Sequence, residues 1–216
     1  MPQQETSIDI KTQTKPLIKT YNGDGKSIVL GITGASGAIY GLRMLRALLL
    51  SEYNVELILS EYATYSLASE CNVEIKPSNI TSIFPEILML KSSVNIHSNL
   101  DLKSDLFQGG FNINGMVISP CSMGLLAGIA DGECENLIEK CADWALSHKK
   151  PLIIVPRETP INKIHLRNLT NVMDAGAMVV PAMPAFDYNP QTFNDLADYI
   201  AGKVMDMLNN GEKPLA

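Results

Sequence analysis

The chain has 216 residues, of which 46% are hydrophobic, and this size and composition can bury one substantial core. Its formal net charge is −6. Proteins that bind nucleic acid or anionic membranes by general electrostatic attraction are usually basic, so neither partner is expected. The four cysteines form no CxxC pair and no His/Cys ligand spacing, which favours reduced thiols in a cytoplasmic protein without a metal site. No apolar run is long enough to span a bilayer.

In chain order, the sequence predicts a polar arm over residues 1–26, one α/β domain over 27–211 and a C-terminal tail over 212–216. Runs rich in β-branched residues predict buried strands, and apolar residues at helical spacing predict helices. The predicted strands are 27–33, 54–60, 115–122, 150–156 and 177–184. The predicted helices are 38–52, 61–72, 123–132, 135–148, 162–176 and 190–211. Residues 73–113 carry turn signals and weak periodicity, which predict long loops near a site.

Strands that alternate with helices predict a parallel sheet covered on both faces, a three-layer α/β/α fold. Ligands of such sheets bind beyond the carboxyl ends of the strands. Four predicted strands end in residues capable of chemistry: "TGASG" (33–37), Ser60, "SPCSM" (119–123) and "PRETP" (156–160). This convergence is the first indication of where a site lies.

The turn "GITGASGAIYG" places Gly34, Gly37 and Gly41 between the first strand and a helix. Glycines allow a tight turn, and N–H groups at a helix N-terminus can hold a phosphate. The spacing fits neither G-x-G-x-x-G nor a Walker A loop, so phosphate binding and simple packing both remain open. The second strand ends at Ser60 without an acidic residue placed for a ribose, which favours a mononucleotide such as FMN over NAD.

Arg157 and Glu158 follow the strand "LIIVP" directly. They fit a surface ion pair, or an arginine that binds an anion or flavin carbonyl beside a glutamate that moves protons. His97, His148 and His165 are too scattered to nominate a catalytic base, and Cys121 fits a small buried residue better than a nucleophile.

Seven segments in order resemble the UbiX flavin prenyltransferase family over about residues 27–208. They are "GITGASGAIYGLRML", "SPCSMGLLAGIADG", "NLIEKCADWAL", "PLIIVPRETP", "IHLRNL", "GAMVVPAMPAF" and "PQTFNDLADYIAGKV". The resemblance implies a flavodoxin-like or Rossmann-like subunit of a homododecamer with FMN at subunit interfaces. It also implies transfer of a dimethylallyl group from dimethylallyl monophosphate to reduced FMN, without a metal. The product, prenylated FMN, would serve UbiD-type decarboxylases in ubiquinone biosynthesis or aromatic-acid metabolism.

The family motifs assign roles position by position. The resemblance implies that FMN is bound by Gly34, Ala35, Ser36, Ser60, Ser122, Met123, Gly124, Leu125 and Arg157. It implies that Ser36, Glu70 and Glu158 are the catalytic polar residues around the reacting flavin and the leaving phosphate.

The chain departs from the family pattern where the prenyl phosphate is held. Lys140 and Lys203 replace arginines, Ser147 replaces a lysine, and Asp187 replaces a tyrosine that Tyr188 could supply one position later. Residues 108–110 read "QGG" instead of "SGS". Lysine offers a phosphate a point charge rather than a planar fork, and Asp187 repels a dianion, so this half of the site is predicted to be weakened.

Three functions remain open from the sequence. The first is flavin prenyl transfer, with Lys140, Asp187, Tyr188 and Lys203 at the prenyl phosphate. The second is an FMN-binding paralogue that carries flavin without prenyl transfer. The third, ranked last, is a flavin-dependent decarboxylase, because that class typically uses a histidine after the first helix and none precedes His97.

Overall fold

The structure is a computed structural model that describes Gly23, residues 26–107 and residues 111–210. Most of the predicted arm, residues 108–110 and the predicted tail lie outside the described residues. The strands are β1 Ser27–Ile32, β2 Asn54–Leu59, β3 Val94–Ser98, β4 Gly115–Cys121, β5 Leu152–Pro156 and β6 Met178–Val179. The helices are α1 Ala38–Leu50, α2 Glu61–Cys71, α3 Ile80–Ile83, α4 Met123–Asp131, α5 Leu137–Ser147, α6 Lys163–Asp174 and α7 Phe193–Asn210.

The six strands form one parallel sheet in the order β3-β2-β1-β4-β5-β6. Side chains of successive strand residues point to opposite faces, so the sheet feeds two apolar cores. One core contains Leu30 with residues of α1, α2 and α7, and the other contains Val29 with residues of α4, α5 and α6. The predicted three-layer α/β/α fold with a parallel sheet is therefore confirmed.

The strand order reverses at β1, which pairs with β2 on one side and β4 on the other. The chain runs outward from β1 to β3 and then returns to the opposite side of β1. The helices that follow β1 and β4 consequently pack on opposite faces of the sheet, and a crevice opens between the carboxyl ends of these two strands.

The structure differs from the sequence prediction at two strands. Val94–Ser98 was predicted to lie in a loop region but forms β3 at the sheet edge. Its residues are partly exposed, and its sequence therefore contains no continuous apolar run. The predicted strand 177–184 is shortened to Met178–Val179. Pro181 has no N–H to donate, although the flanking Val180 and Ala182 N–H groups still donate to the carbonyls of Ile154 and Pro156.

Among the described residues, no helix combines the length and the apolar character that crossing a membrane requires.

Candidate functional site

The turn between β1 and α1 is fixed by two glycines. A Cβ on Gly34 would lie 2.2 Å from Cβ of Tyr62, so α2 approaches the turn too closely for any side chain here. Gly37 precedes α1 with φ 98°, a left-handed conformation that favours glycine. Packing and backbone conformation thus explain both glycines, and Ser36 is left exposed between them.

Thr33 joins the carboxyl ends of β1 and β4. Its Oγ1 donates to the Pro120 carbonyl at 2.7 Å and accepts the Ser122 N–H at 2.9 Å. The Ala35 N–H also donates to this oxygen, at 3.4 Å. The sequence prediction included Thr33 in the strand-end segment "TGASG" but gave it no role of its own.

Two serines begin helices at the same edge of the sheet. Ser60 is the N-cap of α2 and accepts the Ala63 N–H at 3.1 Å. Ser122 is the N-cap of α4 and accepts the Leu125 N–H at 3.4 Å. Both hydroxyls keep the capacity to donate a hydrogen bond, because capping uses only an acceptor lone pair.

A cavity of about 330 Å³ opens where these turns meet. Of the predicted FMN-binding residues, Gly34, Ser60, Ser122, Gly124 and Leu125 line it. A Cβ built on Gly124 would meet no atom within 4 Å apart from its chain neighbours and the nearby backbone of α4, so this position borders open space. The neighbouring Met123 is mostly buried, at 7% exposure, and packs into the core beneath the cavity.

Further lining residues of this cavity were missed from the sequence. They include Tyr62, Asn99 and Glu139. Asn99 follows β3, a strand that the sequence did not reveal, and its Oδ1 accepts the Ile138 N–H at the start of α5. Glu139 is buried at 6% exposure and its Oε2 accepts the Glu135 N–H.

Arg157 lies beside the glycine-rich turn. Its backbone N–H donates to the Cys121 carbonyl at 3.2 Å. Its side-chain Cδ lies 3.8 Å from the place that a Cβ on Gly37 would occupy. Burial raises the pKa of Tyr40 on α1, and the nearby Arg157 guanidinium opposes that rise. Glu158 is exposed, and its Oε1 accepts the Thr159 N–H at 2.8 Å. The predicted flavin arginine and catalytic glutamate therefore share the edge where "GASG" lies.

Glu70 has a defined structural role in this chain. Its Oε2 accepts the N–H groups of Gly37 at 2.7 Å and Ala38 at 2.9 Å. A carboxylate at a helix N-terminus satisfies free N–H groups and interacts favourably with the helix dipole. The anion at the start of α1 is thus Glu70 itself, which occupies the donors that the sequence offered to a phosphate.

Cys121, at the end of β4, is fully buried. Burial raises the pKa of this thiol to about 12, so it is neutral and unsuited to nucleophilic attack. The sequence interpretation of a small buried residue agrees with this environment.

The predicted prenyl-phosphate residues lie in two separate places within one chain: Lys140 near Phe107 on one face of the sheet, and Tyr188 and Lys203 around Tyr199 on the other. Lys140 lies on α5, where its Nζ donates to the Leu102 carbonyl at 3.1 Å and sits 4.2 Å from the centre of the Phe107 ring. Lys203 lies on α7, on the opposite face of the sheet, with Nζ 5.3 Å from the centre of the Tyr199 ring.

Tyr188 is also engaged locally. Its hydroxyl donates to the Asp195 carbonyl at 3.0 Å, and its ring stacks on Tyr199 with centroids 5.2 Å apart. Asp187 beside it is exposed. Burial, followed by the negative charge of Asp195, raises the pKa of Tyr188, which therefore remains a neutral hydroxyl.

In the part of the chain that the structure describes, no three His, Cys, Asp or Glu side chains lie together in a group that could hold a metal ion.

Comparison with known proteins agrees with this architecture. Residues 17–205 match the Flavoprotein family model. Flavin prenyltransferase UbiX of Alkalihalophilus pseudofirmus is 40% identical over 85% of this chain and 91% of its own. Flavin prenyltransferase UbiX of Pseudomonas aeruginosa is 38% identical over 84% of this chain and 88% of its own.

Solved structures superpose over most of the chain. A crystal structure of a UbiX protein in complex with FMN and dimethylallyl pyrophosphate has a TM-score of 0.74 at 33% identity, covering 86% of this chain and 93% of its own. A dodecameric FMN-dependent UbiX-like decarboxylase from Escherichia coli has a TM-score of 0.73 at 30% identity, covering 88% of this chain and 97% of its own. The extent of these matches, together with the turns that meet between β1 and β4, establishes that the chain belongs to the UbiX flavin prenyltransferase family.

Proposed function

We propose that the protein transfers a dimethylallyl group from dimethylallyl monophosphate to reduced FMN. The prenylated FMN would pass to a UbiD-type decarboxylase in ubiquinone or aromatic-acid metabolism, and the enzyme would act as a cytoplasmic homododecamer. The observation that carries the proposal is the cavity between the ends of β1 and β4, where five of the predicted FMN-binding residues meet. Its relationship to UbiX proteins over more than four fifths of the chain supports the same function.

The donors around the cavity fit a flavin mononucleotide. Ser60 and Ser122 offer hydroxyl donors at the starts of two helices, and Gly124 leaves space that a side chain would fill. Arg157 supplies a guanidinium that suits a flavin carbonyl or an anionic ring. When bound, reduced FMN supplies the electron-rich ring atoms that accept the prenyl group.

The chain's own residues would hold charge and move protons around that reaction. Cleavage of an allylic C–O bond leaves a delocalised cation and a phosphate, and the phosphate needs positioned donors. We assign Ser36, exposed in the turn, to bind the phosphate oxygens, and Glu158 to take the proton released as the new ring closes. Glu70 positions Ser36 indirectly, because its carboxylate accepts hydrogen bonds from the N–H groups of Gly37 and Ala38, the two residues that follow Ser36.

The positions of Lys140 and Lys203 support assembly of the phosphate site between subunits. These lysines approach from opposite faces of the sheet in one chain. In such an assembly we propose that one subunit's α5 faces another subunit's α7. The related UbiX-like decarboxylase from Escherichia coli is dodecameric.

One observation favours the flavin carrier as a second candidate. Lys140 and Tyr188 already contact the carbonyls of Leu102 and Asp195, so binding a prenyl phosphate would require them to exchange partners. A carrier would retain the flavin half of the site and need no phosphate half.

The deciding experiment is anaerobic incubation of the protein with reduced FMN and dimethylallyl monophosphate, followed by mass spectrometry of the bound flavin. Prenyl transfer predicts a flavin heavier by one prenyl group. Tightly bound, unmodified FMN at saturating donor would contradict prenyl transfer and support the carrier. Incubation without donor is the control.

The space at Gly124 gives a separate prediction for the flavin site. Gly124→Ala is expected to weaken FMN binding by about tenfold, or ~1.4 kcal/mol, because the methyl group would fill space assigned to the ligand. The unfolding temperature without FMN should not fall, since alanine favours the helix and its methyl group would meet no atom outside α4 within 4 Å. Fluorescence titration measures the affinity, and unchanged affinity would remove Gly124 from the site.

A further inference from the structure

His97 joins two side chains that are far apart in the sequence. Its Nε2 lies 2.6 Å from Oε2 of Glu56, and its Nδ1 lies 2.8 Å from Oγ of Ser104. Glu56 comes from β2, His97 from the neighbouring β3, and Ser104 from the connection that follows β3. All three side chains are largely shielded from solvent, with Ser104 only 3% exposed.

The hydrogen bonds among Glu56, His97 and Ser104 indicate which atoms carry the protons. Burial tends to raise the pKa of Glu56, but hydrogen bonds from His97 and Asn95 outweigh it, so the pKa lies below its usual value. A carboxylate only accepts, so Nε2 of His97 must carry the proton of this hydrogen bond, and the form of the ring that can act as a base has Nδ1 without a proton. Nδ1 is then the acceptor that faces the Ser104 hydroxyl.

Both ends of the chain of groups are held in place. The Asn95 amide donates to Oε1 of Glu56 at 3.0 Å, which leaves Oε2 for the histidine. Ser104 begins a short 3-10 turn, and its Oγ accepts the Leu106 N–H at 3.3 Å. This bond uses an acceptor lone pair and leaves the hydroxyl proton for His97.

The three groups open onto a cavity of about 690 Å³ beside the edge strand. None of its lining residues belongs to the set that lines the 330 Å³ flavin cavity. Lys103 and Asn112 also line it, and the side chains of both residue types carry N–H donors. A nucleophile, a base, a group that orients the base and nearby donors for an oxyanion are the elements of acyl transfer.

We propose that Ser104, His97 and Glu56 form a second site, built from residues other than those that line the 330 Å³ flavin cavity, that hydrolyses small polar carboxylic esters. Ser104 Oγ attacks the ester carbonyl as its proton moves to His97 Nδ1. The tetrahedral adduct expels the alcohol, which takes that proton, and the acyl group remains on Ser104. Water then attacks the acyl-serine by the same route, releasing the carboxylic acid and restoring the serine. The mixed polar lining of the cavity, with Lys103 and Asn112, favours short, polar acyl groups over long hydrocarbon chains.

The test uses the full-length protein with p-nitrophenyl acetate as substrate and a fluorophosphonate as a covalent serine probe. Ester hydrolysis above the buffer rate is expected, with the probe attached to the peptide that contains Ser104. Ser104→Ala should remove the label and lower hydrolysis at least tenfold. Glu56→Gln preserves side-chain volume but allows an amide donor toward Nε2, and it should lower hydrolysis by a similar factor.

Ser69→Ala is the matched control, because Ser69 is an exposed serine of α2 that is not among the residues lining this cavity. It should hydrolyse the ester at the unaltered rate. FMN binding by each variant shows whether the fold is intact. Hydrolysis that equals the buffer rate, or survives in both Ser104→Ala and Glu56→Gln, would overturn the proposal, as would a label on another residue. Those outcomes are expected if the hydrogen bonds among Glu56, His97 and Ser104 serve only to hold the connection after β3 in place.

Discussion

Glu158→Gln is expected to lower the rate of prenyl transfer by roughly 100-fold to 10,000-fold while FMN still binds. The amide keeps the size and hydrogen-bonding capacity of the carboxylate but cannot take a proton. The Glu158 side chain already accepts the Thr159 N–H, and the glutamine carbonyl oxygen can accept the same bond, so the strand end should keep its shape. Single-turnover formation of prenylated FMN measures the rate.

Glu135→Gln provides the matched control for this change. Glu135 is also an exposed glutamate, but it lies in the connection before α5. Its replacement should leave the rate unchanged. If Glu158→Gln turns over as fast as the unaltered protein, another group must move the proton.

Breaking the Arg43–Asp198 ion pair is expected to have the largest effect on stability. Arg43 of α1 donates through Nε and Nη2 to the two carboxylate oxygens of Asp198 on α7, both at 2.5 Å. The side chains are only 17% and 11% exposed. Arg43→Met should therefore lower the free energy of unfolding by about 3 kcal/mol, because Asp198 would remain buried without its partner.

Two variants separate the buried charge from general helix packing. Arg46→Met removes a more exposed ion pair with Glu86 on the same helix and should cost at most ~1 kcal/mol. Combining Arg43→Met with Asp198→Leu should recover most of the loss, since no unpaired charge remains. Urea unfolding followed by circular dichroism measures all three. Equal losses for Arg43→Met and Arg46→Met would contradict the argument.

The extent to which the fold was predictable follows from the burial of each strand. β1, β4 and β5 are buried on both faces, so each appears in the sequence as an apolar run that periodicity detects. β3 lies at the sheet edge with half-exposed residues, and its polar positions include His97, so no apolar run marks it. Missing this strand also hid Asn99, which follows it and lines the flavin cavity.

The candidate flavin site was predictable where its chemistry is local in sequence. Ser60, Ser122 and Arg157 each directly follow a strand, and parallel strands bring their carboxyl ends to one edge. The hydrogen-bond partner of a side chain, by contrast, can be distant in the sequence. Glu70 reaches Gly37 from 33 residues away, and Lys140 and Tyr188 are engaged by backbone carbonyls that no motif indicates.

The sequence by itself determined the alternation of strands and helices, the glycine-rich turn and the polar residues at strand ends, because hydrophobic periodicity and turn chemistry are properties of neighbouring residues. Only the tertiary structure decided that Thr33 joins β1 to β4, that Lys140 and Lys203 lie on opposite faces, and that His97 lies between Glu56 and Ser104. These contacts depend on strand order and register. Both are set by packing across the whole sheet, so segments distant in sequence become neighbours only once the chain has folded.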